Sequence, residues 1–501
     1  MKITLIHPFY NYCDEEKSDR PFPFGIAYIA SYLLRKGHEV EILDLNEKYL
    51  KKDELAAVLK NMRCDAIGIS ALSIVFTYVK NLITLIKDNL DVPVIVGGPL
   101  GTHNPRILLE HTGADICVIG QGEKAVCDVL ENIHHLDKVS GIVYKNAQGQ
   151  ILRNLKPGLI PADEIPLPAY ELFDMEKYIW NAASADMDYR RRYAKGLRVA
   201  QVITGRGCPM RCNFCSKVMG NNITMRSVDK VIEEIKLLIK KYKINAVSFR
   251  DELYLMNKQR AYELASKLKP LDLIWMGQGR VDKVDYDLIK YMKECGCISL
   301  GFGVESGSPK MLDLINKGQT VAQVEQAVRS CQRLDMDMKV QLVMGYPGED
   351  RNTIEETIDL FKRLGHPGRR FHLITPLPGS TLYEDLLRKK VILDELQYLI
   401  ALSRRDSGFS KGKPLINLTG FSDEELYRIK LEAESRMYAN YRKYVVSHPK
   451  EFLRYLKDRF IHKGYLFNPL LILNRFTRNT KVSEESRRKT RDKVKWREYQ
   501  L

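Results

Sequence analysis

The sequence predicts an α/β protein: an N-terminal doubly wound, Rossmann-like domain, a partial (β/α)6 TIM-type barrel, and a mostly helical C-terminal region. Three observations predict it. Short β-rich runs alternate with amphipathic helix-length stretches from Met1 to about Leu136. The same rhythm restarts at Leu197 and runs for six strand–helix units. After Leu382 only helical patterns remain. The expected divisions are therefore 1–136, a connector over 137–196, a barrel over 197–385, and 386–501.

In the first block, Lys2–His7, Val40–Leu43, Ala66–Ser70, Pro93–Val96 and Ile116–Ile119 read as strands. Helices over Gly25–Arg35, Asp53–Met62 and Val75–Asp88 lie between them. Such alternation folds with right-handed crossovers into a parallel sheet, which binds ligands beyond the carboxyl ends of its strands. Small and polar residues gather at those ends: Ser70, Gly97 and Gly98, then Gly120, Gly122 and Glu123. Glycine there either lets the backbone approach a large flat ligand or serves an ordinary turn, and both readings are open. Neither a G-x-G-x-x-G fingerprint nor a Walker-type loop follows the first strand, which argues against a dinucleotide or nucleoside triphosphate.

Within the connector, Gly141–Asn154 reads as a hairpin turning at Gln148-Gly149. The proline-rich Ile160–Tyr170 reads as an extended strap, and Asp186–Arg191 as a lead-in to the next block.

The second block has strand-like runs at Leu197–Ile203, Ala246–Arg250, Leu273–Gly277, Ile298–Phe302, Lys339–Met344 and Phe371–Thr375. Val228–Lys240 reads as a helix, with Ser227 as N-cap and Val231, Ile232, Ile235, Leu238 and Ile239 in helical register. Barrels of this type place active residues at the carboxyl ends of the strands. A cysteine loop follows the first strand here, Asp251 and Glu252 the second, and Arg280 the third. Glu305 and Ser306 follow the fourth, Gly345–Glu349 the fifth, and Thr375–Ser380 the sixth. Each alone reads equally as a turn or cap; six in phase define one rim.

The cysteine loop, Gly205–Ser216, reads GRGCPMRCNFCS and spaces Cys208, Cys212 and Cys215 as C-x3-C-x2-C. Three thiolates this close can bind three irons of a [4Fe–4S] cube and leave the fourth iron open. A structural zinc needs a fourth ligand, yet the next cysteine is Cys295 and no histidine follows until His366. Ten cysteines in 501 residues do not form a secreted disulfide framework. Cys295 and Cys297, just before the fourth strand, read as structural.

With Phe214 before its last cysteine, this loop resembles the signature of the radical S-adenosylmethionine (radical SAM) enzymes. The resemblance implies that the open iron chelates the amino and carboxylate groups of SAM, whose cleavage gives a 5′-deoxyadenosyl radical. It also implies roles for matching residues. Asp251 and Glu252 would hold the methionine ammonium, Arg280 the carboxylate, and Glu305 and Ser306 the ribose and carboxylate region. Gly345–Glu349 resembles the motif beside the adenine, with Phe214 as the aromatic near it.

Pro23-Phe24-Gly25, Gly37–Asp44, Val96–Pro99 and Gly120–Glu123 are similar to the N-terminal cobalamin-binding domain of one large radical SAM class. This implies cobalamin as a further cofactor, cradled by Ser70, Gly97, Gly98, Gly120, Gly122 and Glu123. Leu100 and Gln121 depart from the usual pattern, and no D-x-H-x-x-G motif supplies a lower axial histidine. The resemblance spans roughly Met1–Leu387. It implies a C-methyltransferase on an unactivated carbon, with methylcobalamin loaded from one SAM and a substrate radical made with a second. A cobalamin-dependent oxidation, cyclisation or rearrangement without methyl transfer is the alternative. An iron–sulfur electron carrier or redox sensor is the alternative of another class, which the second-strand acids and the GVESGS stretch argue against. The resemblance assigns no residue to catalysis itself. Implied partners are a small-molecule or lipid-like substrate and a reductant of flavodoxin or ferredoxin type.

A composition of 45% hydrophobic and 28% charged residues is that of a soluble globular protein. The start, MKITLIHP, reads directly as a strand with no signal-peptide core, and no apolar run approaches the ~20 residues of a membrane span. With free thiols, this places the chain in a reducing cytoplasm. Of the net charge of +16, ten units lie after Arg442, where 16 Lys and Arg face 6 Asp and Glu. These basic runs read as solvated helix faces and a tail, and RNA modification is not expected without an RNA-binding appendage. Helices are expected at Leu396–Ser403, Asp423–Val445 and Glu451–Arg459, with Gly408–Pro414 a polar loop. Tyr438, Tyr441 and Tyr444 would pack in the core or line a substrate cavity. Tyr465–Leu473, flanked by Lys463 and by Arg475, Arg478 and Lys481, would pack on the barrel or anchor at a membrane interface. Its shortness favours packing.

Overall fold

The computed structural model describes residues 1–10, 20–155, 158–181, 196–368, 370–404, 414–449 and 452–453. Five strands form the parallel part of the first sheet: β1 (Lys2–His7), β2 (Glu39–Asp44), β3 (Ala66–Ser70), β4 (Val94–Gly97) and β5 (Ile116–Val118). Their order is β2-β1-β3-β4-β5. Alternating side chains go to opposite faces. Ile3 and Leu5 pack with the helices Phe24–Arg35 and Gly122–Glu131, while Ile6, Ile67 and Ile69 pack with Lys52–Asn61 and Phe76–Asn89. Both faces are covered, as the near-continuous apolar strands require.

The expected hairpin forms as β6 (Ile142–Lys145) and β7 (Ile151–Arg153), turning through Gly149 at φ +78. It is not a free connector. Val143 pairs antiparallel with Cys117 of β5, so the hairpin extends the first sheet to seven strands. The short β5 would otherwise leave an apolar edge unpaired. At the other end of the connector, β8 (Trp180–Asn181) adds an antiparallel strand to the second sheet. The 137–196 segment is thus divided between both sheets. The Asp186–Arg191 lead-in lies outside the described residues.

The second sheet begins with β9 (Arg198–Val202). A two-stranded ribbon of β10 (Gly205–Arg206) and β11 (Thr224–Met225) closes the base of the cysteine loop. Then come β12 (Ala246–Phe249), β13 (Ile274–Gly279), β14 (Cys297–Glu305), β15 (Asp337–Met344) and β16 (Phe371–Leu373). With β9 they make six parallel strands in chain order, the half-barrel the alternation predicts. Ser227 caps the Val228–Tyr242 helix by accepting from the Lys230 amide at 3.3 Å, and left-handed Lys243 ends it. Cys295 and Cys297 are buried at the amino end of β14, in keeping with a structural role.

Several contacts join the two sheets. The Arg20 carbonyl accepts from Trp180 Nε1 at 3.1 Å and Gln201 Nε2 at 2.9 Å. Arg226 and Glu234 form a buried ion pair that also engages the hydroxyls of Tyr28 and Tyr170. The C-terminal helix Glu395–Ser403 docks on the first domain, with Ser403 Oγ 2.5 Å from Thr77 Oγ1 and Glu395 accepting from Asn104 at 3.2 Å.

The long helix Asp423–Ser447 instead covers the barrel, burying Leu426, Ile429, Ala433 and Met437. Its tyrosines divide between packing and exposure. Tyr438 is exposed, Tyr441 is half-buried, and half-buried Tyr444 stacks on His448 and packs over Gly365. Tyr444 lies seven residues, about two turns, after Met437 and so shares its face toward the barrel, whereas Tyr438 directly follows Met437 and turns away. Residues 454–501, with the basic tail and the Tyr465–Leu473 run, lie outside the described residues, as do nearly all of Gly408–Pro414 and most of Glu451–Arg459. Among the described residues, no helix is long and apolar enough to cross a membrane.

Candidate active site

The cysteine loop is held in shape from several sides. Gly207 sits at φ +85, and a Cβ there would lie 2.1 Å from the Asn222 carbonyl, so only glycine passes beneath the ribbon. The Asn213 amide donates to the Ile315 carbonyl at 3.0 Å, and Asn316 Nδ2 donates to the Arg211 carbonyl at 2.9 Å. From the far end of the barrel, the Leu382 amide reaches the Asn213 carbonyl at 2.9 Å, and Ser216 Oγ reaches that of Pro378 at 2.6 Å.

This framework presents Cys208, Cys212 and Cys215 as free, half-exposed thiols. Their sulfur atoms do not all lie within 4.8 Å of one another, as three ligands of one ion would. Thiolates on three different irons of a cube stand farther apart, so the arrangement fits a cluster better than zinc. Burial, then the charges of Cys212 and Cys208, push the Cys215 thiol up to about 11. Three mutually repelling thiolates need cationic charge among them.

Beside the loop lies a cavity of about 380 Å³ between the two sheets. Ser70, Gly97, Gly98, Gly120, Gly122 and Glu123 line it from the first domain. Arg206, Gly207, Val218, Arg250, Asp251 and Glu252 line it from the second. The cavity also reaches Leu5, Ile69, Ile95 and Val118 on the β1, β3, β4 and β5 strands.

The glycines here divide into two kinds. At Gly98 a Cβ would meet the Ala71 backbone at 2.9 Å, and at Gly122 it would meet Ile29 at 2.9 Å, so packing alone accounts for both. At Gly25, Gly97 and Gly120 a Cβ would meet nothing closer than 3.7 Å. Gly97 does not even need a positive φ, at −124°. Gly120 is left-handed at φ +75, which by itself favours glycine, whereas a side chain at Gly25 or Gly97 would fill the cavity rather than clash with the protein. That is a cradle for a bulky flat ligand, and the corrin ring of cobalamin fits it.

Asp251 is buried at the cavity wall. Its Oδ1 accepts from the Thr204 amide at 2.9 Å and hydroxyl at 2.7 Å, while Oδ2 is buried without a partner. Burial pushes the carboxyl up to about 6, against the pull of those hydrogen bonds. An orphaned carboxylate oxygen suits an incoming ammonium group. Glu252 beside it is exposed.

The remaining expected residues sit at the strand ends but do not line this cavity. Arg280 is buried, paired with Asp282 at 2.7 Å and donating to the Lys317 and Gly318 carbonyls at 2.7 and 2.9 Å. Glu305 holds a left-handed φ of +68 and a buried ion pair with Lys317 at 2.7 Å. Ser306 Oγ accepts from the Ser308 amide at 3.1 Å and meets Thr357 Oγ1 at 3.2 Å. Gly345, at φ +96, donates its amide to Glu349, whose carboxyl burial pushes up to about 7. Phe214 packs with residues of the first domain and the end of the barrel.

Two residues beyond the expected set matter here. Arg206 pairs with the buried Glu123 at 2.5 Å and lies over the Tyr28 ring at 4.4 Å, joining the first domain to the root of the cysteine loop. Glu123 is thus an interdomain tether as well as a cavity wall. His103 packs against Gly379, where a Cβ would lie 2.2 Å from its ring. Arg206 stood inside the cysteine stretch, but nothing local in sequence names its partner 83 residues away.

Comparison with known proteins agrees with this geometry. Residues 202–361 match the Radical SAM superfamily, and residues 19–130 match the B12 binding domain. An uncharacterised methyltransferase of Pyrococcus horikoshii is 30% identical over 454 residues, spanning 89% of this chain and 91% of its own. The chain belongs to the radical SAM superfamily, in the group that carries an N-terminal B12 binding domain. An anaerobic magnesium-protoporphyrin IX monomethyl ester cyclase of Rubrivivax gelatinosus is 25% identical over 413 residues, 79% of this chain and 72% of the cyclase. Among solved structures, the radical S-adenosylmethionine methyltransferase TsrM from Kitasatospora setae, with cobalamin and a [4Fe-4S] cluster bound, shares the fold. Its TM-score is 0.61 at 19% identity, over 77% of this chain and 75% of TsrM.

Proposed function

We propose that this cobalamin-dependent radical SAM enzyme is a C-methyltransferase acting on an unactivated carbon of a small-molecule substrate. The observation that carries the reading is the shared cavity, in which the glycine cradle of the first domain faces Asp251 and the root of the cysteine loop at Gly205, Arg206 and Gly207. Bound there, the cluster, SAM and cobalamin supply the electron, the hydrogen-abstracting radical and the methyl carrier.

The chain's own residues do the positioning. Cys208, Cys212 and Cys215, all free thiols, would hold the cluster through three of its irons. Asp251 and Glu252 receive the methionine ammonium, drawn by the orphaned Oδ2. Gly25, Gly97 and Gly120 give the corrin its space. Arg206, held by Glu123, fixes the distance between cradle and loop. The buried strand-end network of Arg280, Glu305 and Lys317 shapes the barrel wall around SAM.

The P. horikoshii relative and TsrM are named methyltransferases, which supports methyl transfer over the cyclase-like alternative. Anaerobic enzyme, reduced and given SAM labelled in its methyl group, is expected to form S-adenosylhomocysteine and to pass label to its bound corrin. Formation of 5′-deoxyadenosine and methionine with no S-adenosylhomocysteine would overturn methyl transfer in favour of the non-methylating chemistry.

A further inference from the structure

At the opposite, amino edge of the first sheet, three side chains of different kinds meet. His38 Nε2 lies 3.7 Å from Cys127 Sγ, Cys127 Sγ 3.3 Å from Glu131 Oε1, and His38 Nε2 3.9 Å from Glu131 Oε1. Among the described residues no other His, Cys, Asp and Glu side chains bring three ligand atoms within 4.8 Å of one another.

Rigid elements present all three. Cys127 and Glu131 are four apart on the Gly122–Glu131 helix and so share a face. His38 ends the cap of the preceding Phe24–Arg35 helix: Gly37 is left-handed at φ +84, and the His38 amide returns to the Leu33 carbonyl at 3.1 Å. The imidazole is 9% exposed and its Nδ1 is buried without a partner, so no hydrogen bond from that nitrogen explains its placement. Glu131 is half-exposed and leaves a path to solvent.

We propose that His38, Cys127 and Glu131 form a second metal site, separate from the cofactor cavity, that takes a divalent zinc-class ion with water as fourth ligand. Zinc binds sulfur at about 2.3 Å, nitrogen at about 2.0–2.1 Å and carboxylate oxygen at about 2.0–2.2 Å in tetrahedral geometry, so its ligand atoms stand roughly 3.4–3.6 Å apart. The two separations from sulfur match that face to within about 0.3 Å, and the nitrogen–oxygen separation of 3.9 Å closes to it with a movement of about half an ångström at Glu131. Mixed thiolate, imidazole and carboxylate donors suit zinc over magnesium or calcium. Cys127 donates its thiol proton to Glu131 at 3.3 Å, and a bound cation would take the place of that proton. The ion would tie the end of one helix to the turn that starts β2.

The test uses holoenzyme with its cluster assembled, equilibrated against chelator-buffered zinc and gel-filtered. One zinc per chain is expected, and its X-ray absorption should show one sulfur at about 2.3 Å with nitrogen and oxygen neighbours. Cys127→Ser and His38→Gln should each weaken zinc binding at least roughly tenfold with iron content unchanged. Glu131→Gln, at a half-exposed position that does not endanger folding, should weaken it as well. No zinc retained by the parent, retention equal in all three variants, or an all-sulfur signature from the cysteine loop would each overturn the site.

Discussion

The carboxylate of Glu123 lies 2.5 Å from the guanidinium of Arg206, two residues before the first cysteine of the loop. The two partners are not equally buried: the Glu123 side chain is 2% exposed and that of Arg206 21%. Removing the cation strands a buried carboxylate, whereas removing the carboxylate leaves a guanidinium that reaches water. Arg206→Met should therefore cost about 3 kcal/mol, and Glu123→Gln about 1 kcal/mol, in urea unfolding of the cofactor-free protein. Equal losses would show that the pair's asymmetry of burial does not govern the contact.

The cysteines separate by role. Changing Cys208, Cys212 or Cys215 to Ala should abolish SAM cleavage and remove most of the iron. Cys295→Ala should keep both, because Cys295 is buried in the barrel core at the amino end of β14. Iron analysis after anaerobic reconstitution decides it. Four irons retained by the triple variant would show that other residues ligate the cluster.

Asp251 should leave a signature in the pH dependence of stability. Its carboxyl stands at about 6 in the folded protein against an ordinary 3.8. The folded state therefore holds this proton more tightly, and the stability it contributes is complete below about pH 4 and lost as pH rises through about 6. Measured on cofactor-free protein, Asp251→Asn should gain on the parent by about 2–3 kcal/mol between pH 4 and pH 7. A pH-independent difference would mean that Oδ2 is not desolvated as the structure has it.

Gly303 lies under the Glu305–Lys317 pair. A Cβ there would come 2.4 Å from Glu305 Oε1 and 2.9 Å from Lys317 Nζ. Gly303→Ala should displace a buried ion pair at a cost of about 3 kcal/mol. Gly149→Ala has open space and only a left-handed backbone against it, at φ +78, and should cost about 1 kcal/mol. Thermal unfolding of the two variants compares them directly.

Much of this was legible because it is local. Alternating apolar runs located the strands of both blocks within a few residues, since each strand's pattern is set by its own burial. The cysteine loop was legible for the same reason. What escaped was pairing at long range. The hairpin Ile142–Arg153 reads as a hairpin anywhere, and only the open edge of β5 decides that it joins the first sheet. Arg280 carries a charge suited to a carboxylate, but its neighbours include the Lys317 and Gly318 carbonyls, 37 and 38 residues on. Likewise the period of the tyrosines of the last helix does not say which of them meets the barrel; the docking of Leu426 and Met437 leaves Tyr438 outside and sets Tyr444 against Gly365.

The docking of Glu395–Ser403 on the first domain has a consequence for the order in which the chain is made. The first sheet can close once Arg153 has left the ribosome, yet the surface around Ser73–Asn89 waits about 250 residues more for its covering helix. At roughly 5–20 residues per second that wait lasts some 12–50 seconds. During this time Thr77 and Asn104 face water, and the apolar side chains that pack with Leu399 and Leu402 stand bare. The nascent first domain is therefore a sticky half-product, complete in topology but not in surface, until the last third of the chain arrives.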